Sequence, residues 1–303
     1  MNFFDVFSEM LVILFCMAAG FLAHKLGYLG GETDQRLCRL ILGITMPCLI
    51  LGSVSAGDTL PSAGEILSIL KVAAVYYGLG FLAAAFVPRL LGGMAKQQGV
   101  WRYCLVFANM AFIGYPVSVA LFGQEALFYA VILVLPFNLL SFSLGPLMLA
   151  GQAKFRWQQL TSPCVIAAVA ALVVALCRLN IPALAGECLN FVGSLTTPLS
   201  LLVVGSLLAD LPFGRAFTSL RLWILTALRL LILPGVLWLV LKWTGIGTPL
   251  VDDIAVILMA TPAALNGSML AMEYGGDTEC MAQSIFLTTL MSILTIPVLA
   301  ALL

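Results

Sequence analysis

Apolar positions fill the chain in blocks of roughly twenty residues, the length that crosses a hydrocarbon core of about 30 Å as a helix. Charged and turn-forming residues separate ten such blocks, predicting helices over 6–26, 34–54, 63–88, 101–122, 125–150, 162–179, 186–209, 219–242, 251–274 and 279–302. Their connections are short, with no room for a catalytic domain outside the membrane.

Composition agrees with the pattern. Of 303 residues, 62% are hydrophobic and 9% charged, against about 25% charged in a soluble domain. The expected fold class is an all-α integral membrane protein. The first block has no basic residue before it and carries Asp5 and Glu9, so it should remain as a membrane helix rather than leave as a signal peptide. Net charge is zero and no basic tract occurs, so nucleic acid is not an expected partner. The eight cysteines have no CxxC spacing and read as small packing residues; the single histidine, His24, reads as an interfacial residue. No metal and no cofactor are expected.

Basic residues set the orientation. Ten of the 14 Lys and Arg follow odd-numbered blocks, Arg178 and Lys242 lie on the opposite side, and Lys71 and Arg229 fall within blocks. The excess predicts a multi-pass protein of the inner (cytoplasmic) membrane with both termini on the non-cytoplasmic side.

Shifting the chain by 151 residues lays Pro47 on Pro198, Ser141 on Ser292 and Pro146 on Pro297, and the block boundaries keep the same offset. This predicts a duplicated five-helix unit, 1–150 and 151–303. Five being odd, the second copy enters the membrane from the opposite side. Inverted repeats of this kind build many secondary transporters, whose substrate site lies near the midplane at paired Gly/Pro-interrupted helices. Here the fourth and ninth helices correspond, and both are interrupted.

The fourth reads "NMAFIGYP" over 109–116, with Gly114 and Pro116 near mid-span and Asn109 seven residues before the proline. Proline removes an amide donor and displaces a carbonyl, freeing backbone groups that lipid cannot satisfy. The ninth reads "TPAALNGS" over 261–268, where Pro262 and Asn266 are four apart and Gly267 and Ser268 follow. Crossed half-helix N-termini at these breaks would suit an anion. The candidate substrate-binding residues are therefore Asn109, Gly114, Pro116, Pro262, Asn266, Gly267 and Ser268. The competing reading is helix packing, in which an asparagine bridges neighbours for about 1 kcal/mol.

These motifs, "NMAFIGYPVSVALFG" (109–123), Pro262 with "AMEY" (271–274), Pro297, "GFLAHKLGYLG" (20–30) and "MPCLILGS" (46–53), resemble the auxin efflux carrier family. The resemblance implies two inverted five-helix repeats, a fold related to bile acid sodium symporters. Helices 1, 2, 6 and 7 would form a scaffold domain and helices 3–5 and 8–10 a transport domain. It further implies that helices 4 and 9 cross at prolines beside asparagines that hold a substrate carboxylate, and that the transport domain moves as an elevator. Bacterial members are similar to malonate, malate and other organic-acid carriers. Two departures are visible: Gly267 stands where plant members have a second proline, and Lys71 has Leu67, not an acid, four residues before it.

Arg229, in mid-helix, costs at least about 2.5 kcal/mol to insert and must face protein or a wet cavity. It would either neutralise substrate or bond carbonyls freed by a broken helix, and Lys71 would snorkel outward. No acid lies at mid-membrane, Glu273 coming nearest, so coupling to H+ or Na+ stays unassigned.

The expected function is a secondary transporter of small organic anions such as mono- or dicarboxylates. Its partners are a small carboxylate, membrane lipid and, through the scaffold domain, a second copy of the chain. The alternatives are a channel or membrane sensor of the same fold, or an intramembrane enzyme. The last would have to use Ser268 without a nearby histidine, an HExxH motif or an aspartate pair.

Overall fold

A computed structural model describes residues 3–55, 63–150, 163–179, 181–209 and 217–303; the side chains of 3–10, 63, 138, 139, 142, 150, 269 and 273 lie outside the described set. Helix fills each predicted block. In chain order the segments are α1 (Phe3–Lys25), α2 (Gly31–Gly52), α3 (Ala63–Leu91), α4 (Ala95–Val106), α5 (Met110–Phe122) and α6 (Glu125–Ala150). They continue as α7 (Pro163–Cys177), α8 (Ala183–Ala209), α9 (Leu220–Thr244), α10 (Pro249–Ala260), α11 (Asn266–Tyr274) and α12 (Thr278–Leu302). Two blocks are split, one into α4 and α5 and the other into α10 and α11. Among the described residues, five helices, α2, most of α3, α8, α9 and α12, are long and apolar enough to cross a membrane.

Local chemistry marks the ends. The Thr248 hydroxyl accepts from the Val251 amide at 3.4 Å, with Pro249 opening α10, and the Asp277 carboxylate accepts from the Cys280 amide at 2.9 Å at the start of α12. The glycine after α11, Gly275, has φ +75°, the left-handed conformation that lets a helix end abruptly. Among the described residues three turns are π-helical, Ile41–Thr45 in α2, Met110–Gly114 opening α5, and Leu228–Ile232 in α9.

Packing sorts the helices into two groups. α1 lies chiefly on α8, and α2 on α7 and α8, while α3 to α6 and α9 to α12 pack mainly on one another. A second apolar cluster joins the groups, with Ile13 and Met17 of α1 and Val204 of α8 meeting Ile113, Ile257 and Ile296.

Backbone contact fixes the first group. A Cβ at Gly20 would lie 2.0 Å from the Leu202 carbonyl oxygen, and one at Gly205 would lie 1.9 Å from that of Met17. Only glycine permits this approach, as small residues do wherever membrane helices touch backbone to backbone. Gly205→Leu should therefore cost well over the 1–3 kcal/mol typical of overpacking. Fluorescence-detected size exclusion should show loss of the monodisperse peak, whereas Gly43→Ala, with open space at the site, should leave it unchanged.

Candidate functional site

The two helix breaks meet. Ala108 and Ala263 form an isolated antiparallel bridge, with the Asn109 amide donating to the Pro262 carbonyl at 2.7 Å and the Ala264 amide to the Phe107 carbonyl at 3.1 Å. The Ala263 amide donates to the Thr288 hydroxyl of α12 at 3.2 Å. Backbone groups that would be orphaned in lipid are thus paired between the two halves of the chain. Both α5 and α11 start just after this pairing, so two helix N-termini, each with its partial positive charge, open from it.

The first break falls earlier than Gly114 and Pro116 suggest, whereas the second lies at Pro262, ahead of Gly267. Pro116 lies in the first turn of the regular part of α5 and is buried. The amide it lacks is absorbed by the preceding π turn, where the Asn109 carbonyl accepts from both Ile113 at 3.3 Å and Gly114 at 3.1 Å. The chain leaves helical geometry at Phe107 to Asn109 instead, where the Pro262 carbonyl captures the Asn109 amide. Gly114 serves close packing, since a Cβ there would lie 2.7 Å from the Leu258 side chain. Gly267 likewise sits inside the first turn of α11, where a Cβ would lie 2.7 Å from the Tyr103 ring and 2.9 Å from the Met281 sulfur. Pro262 is in the break, and Ser268, half-buried, follows Gly267 in α11 with its amide on the Leu265 carbonyl at 3.2 Å.

The two asparagines differ. Asn266 is braced: its amide oxygen accepts from the Tyr103 hydroxyl at 2.8 Å, its amide nitrogen donates to Ser141 Oγ at 3.2 Å, and those two hydroxyls are 3.0 Å apart. Asn109 is 3% exposed, and its side-chain nitrogen has no hydrogen-bond partner among the described residues. A buried donor without a partner costs about 1–3 kcal/mol. Buried hydroxyls of Thr45, Thr196 and Ser200 also lack partners there. Thr45 and Thr196 carry the 151-residue offset of the repeat, and α8 packs against both the π turn ending in Thr45 and the one following Asn109.

Arg229 is fully buried in the π turn of α9. It donates to the Leu105 carbonyl at 3.1 Å and to the Tyr76 hydroxyl at 3.5 Å, and its Nε has no partner among the described residues. Leu105 is in the last turn of α4, so a cation sits at the negative end of that half-helix. The guanidinium makes no ion pair among the described residues, and through Leu105 it lies close to the breaks. Lys71 is exposed on α3 and joins none of these bonds. The Glu273 side chain lies outside the described residues.

Sequence reasoning misses Tyr103, Thr288 and Tyr76. Ser141 carries a signal only through the repeat, and nothing in a linear text pairs it with Asn266.

Two helix breaks paired inside a bundle of apolar helices are an arrangement met in membrane transporters. The sequence profile of the family described as membrane transport protein matches residues 5–152 and 146–300. The chain belongs to that family, the auxin efflux carriers that its motifs resemble, and is a transporter rather than an enzyme. An uncharacterized transporter of Methanothermobacter thermautotrophicus is 24% identical over 98% of this chain and 98% of its own length. Another, of Methanocaldococcus jannaschii, is 27% identical over 94% of this chain and 95% of its own. A protein of Rhizobium meliloti provisionally named a malonate transporter is 23% identical over 91% of this chain and 89% of its own.

Proposed function

We propose that this transporter carries small organic anions, mono- or dicarboxylates, binding the carboxylate where the two helix breaks pair. The observation that carries the reading is the buried, unpartnered amide nitrogen of Asn109 at that pairing. A carboxylate there accepts from Asn109 in a charge-assisted hydrogen bond stronger than a neutral one, at the positive ends of α5 and α11. Arg229 supplies a fixed positive charge behind the Leu105 carbonyl, and the relative named for malonate transport agrees with the substrate class.

Alternating access follows by an elevator step in this reading. The glycine-locked pair α1 and α8, with α2 and α7, is the stationary body, and α3 to α6 with α9 to α12 carry the site past it. The inverted five-helix repeat is the symmetry that gives such a carrier its two faces. Purified protein in liposomes tests the proposal: labelled malonate should enter saturably and faster against internal unlabelled malonate. No uptake across a panel of C2 to C6 mono- and dicarboxylates would sink it. Comparing rates with an imposed Na+ or proton gradient assigns the coupling ion.

A further inference from the structure

We propose that the cavity where α4, α9 and α12 begin binds the headgroup of a zwitterionic phospholipid of the phosphatidylethanolamine type, an anionic phosphate and a primary ammonium two carbons apart. The cavity holds about 220 Å³, and Gln97, Trp101, Ser219, Arg221, Asp277 and Glu279 stand in its wall. Both α9 and α12 are long and apolar enough to cross a membrane, so their first residues stand at the depth of lipid headgroups.

The cationic side is built by close contact. Gly93 has φ +94°, and a Cβ there would lie 2.9 Å from the Trp101 ring, 3.0 Å from Gln97 Oε1 and 3.3 Å from Arg221 Nη1. Glycine thus lets the guanidinium rest against the main chain between α3 and α4, beside a buried indole. Ser219 stands just before α9 and its hydroxyl makes no capping bond to that helix, so it is able to donate to a phosphate in the same cavity. The anionic side belongs to α12. Asp277 Oδ1 accepts from the Cys280 amide at 2.9 Å, which holds the carboxylate at the helix start, and Glu279 Oε1 accepts from Gln283 Nε2 at 3.2 Å.

Arg221 and Asp277 line one cavity without forming an ion pair among the described residues. That separation selects the ligand. An anion alone would meet two carboxylates, and a cation alone would meet the guanidinium. A group carrying both charges satisfies both walls, with its phosphate on Arg221 and its ammonium on the carboxylates in charge-assisted bonds. A soluble amino acid shares this chemistry, but the surroundings favour a lipid. Leu220, Trp223 and Ile224, next to Arg221 in the first turn of α9, are exposed apolar side chains. Acyl chains would cover them, and tryptophan is enriched at the membrane interface.

Native mass spectrometry of the full-length, delipidated protein in detergent tests this with phosphatidylethanolamine, phosphatidylcholine and phosphatidylglycerol carrying the same acyl chains. The site predicts one phosphatidylethanolamine per chain, bound about tenfold more tightly than either of the others, since choline has no N–H donors and glycerol no cation. Arg221→Gln, at an exposed side chain, and Asp277→Asn should each remove that preference. Asparagine keeps the cap of α12, so the second variant reads the charge and not the fold. Equal affinity for the three lipids, or an unchanged preference in either variant, overturns the proposal. Should Arg221→Gln fail to fold, Asp277→Asn decides alone. Soluble O-phosphoethanolamine is the remaining arm. If it raises the unfolding midpoint while phosphatidylethanolamine binds no better than the other lipids, the cavity takes a free zwitterion and the lipid assignment falls.

Discussion

Asn109→Ala is expected to weaken carboxylate binding by roughly one to two orders of magnitude while leaving the thermal unfolding midpoint unchanged or slightly raised. The two effects have opposite signs because the side-chain nitrogen is buried and unpartnered in the empty protein. Removing it takes away a cost of about 1–3 kcal/mol. With substrate present the same group donates to an anion, a bond worth about 1.5–3 kcal/mol, so affinity falls roughly 10- to 150-fold. Asn266→Ala should behave differently. It breaks bonds to both Tyr103 and Ser141 and leaves their hydroxyls short of partners, so the midpoint should drop. A thermal-shift series with malonate separates them. Equal destabilisation by both substitutions, with normal binding per folded molecule, would return both residues to a packing role.

Arg229→Met is the second large effect. Its side chain fits the same channel without the charge, and transport of anions should fall by an order of magnitude or more. A charge about 10 Å from a bound carboxylate contributes about 1.7 kcal/mol at an effective dielectric of ~20, or roughly fifteenfold in affinity. The variant also leaves the Leu105 carbonyl and the Tyr76 hydroxyl without their donor, so some stability is lost. Arg229→Lys keeps the charge but not the fork of donors. Recovery of uptake by lysine without full recovery of stability would identify the charge as the functional part. If lysine restores stability and not uptake, the electrostatic role is refuted.

Much of the helical layout was legible in the linear text because a membrane helix is written as a block, and the blocks ended where helices end. The existence of two breaks was legible too, from Pro116 and Pro262. The location of the first was not, while Pro262 does lie in the second. Pro116 distorts only the turn before it, and the π turn at Met110–Gly114 absorbs that distortion. The actual gap opens where the Pro262 carbonyl competes for the Asn109 amide, a tertiary event with no local signature. The difference between the two asparagines was invisible for the same reason. Asn266 is tied down by Tyr103 and Ser141, each more than a hundred residues away in sequence. For Arg229 the sequence left two roles open, and the structure gives it the carbonyl of a broken helix directly.

The pairing of Ala108 with Ala263 carries a consequence for how such chains can diverge. Its bonds run through the main chain, so side chains around it are free to change as long as they fit. Chain length is not. One residue added between Val106 and Met110 would turn α5 by about 100° relative to α4, swinging Asn109 and the wall it stands in away from the opposite half. Relatives should therefore differ freely in spelling across the two breaks yet keep the number of letters, and an insertion tolerated anywhere else between helices should be lethal to transport there.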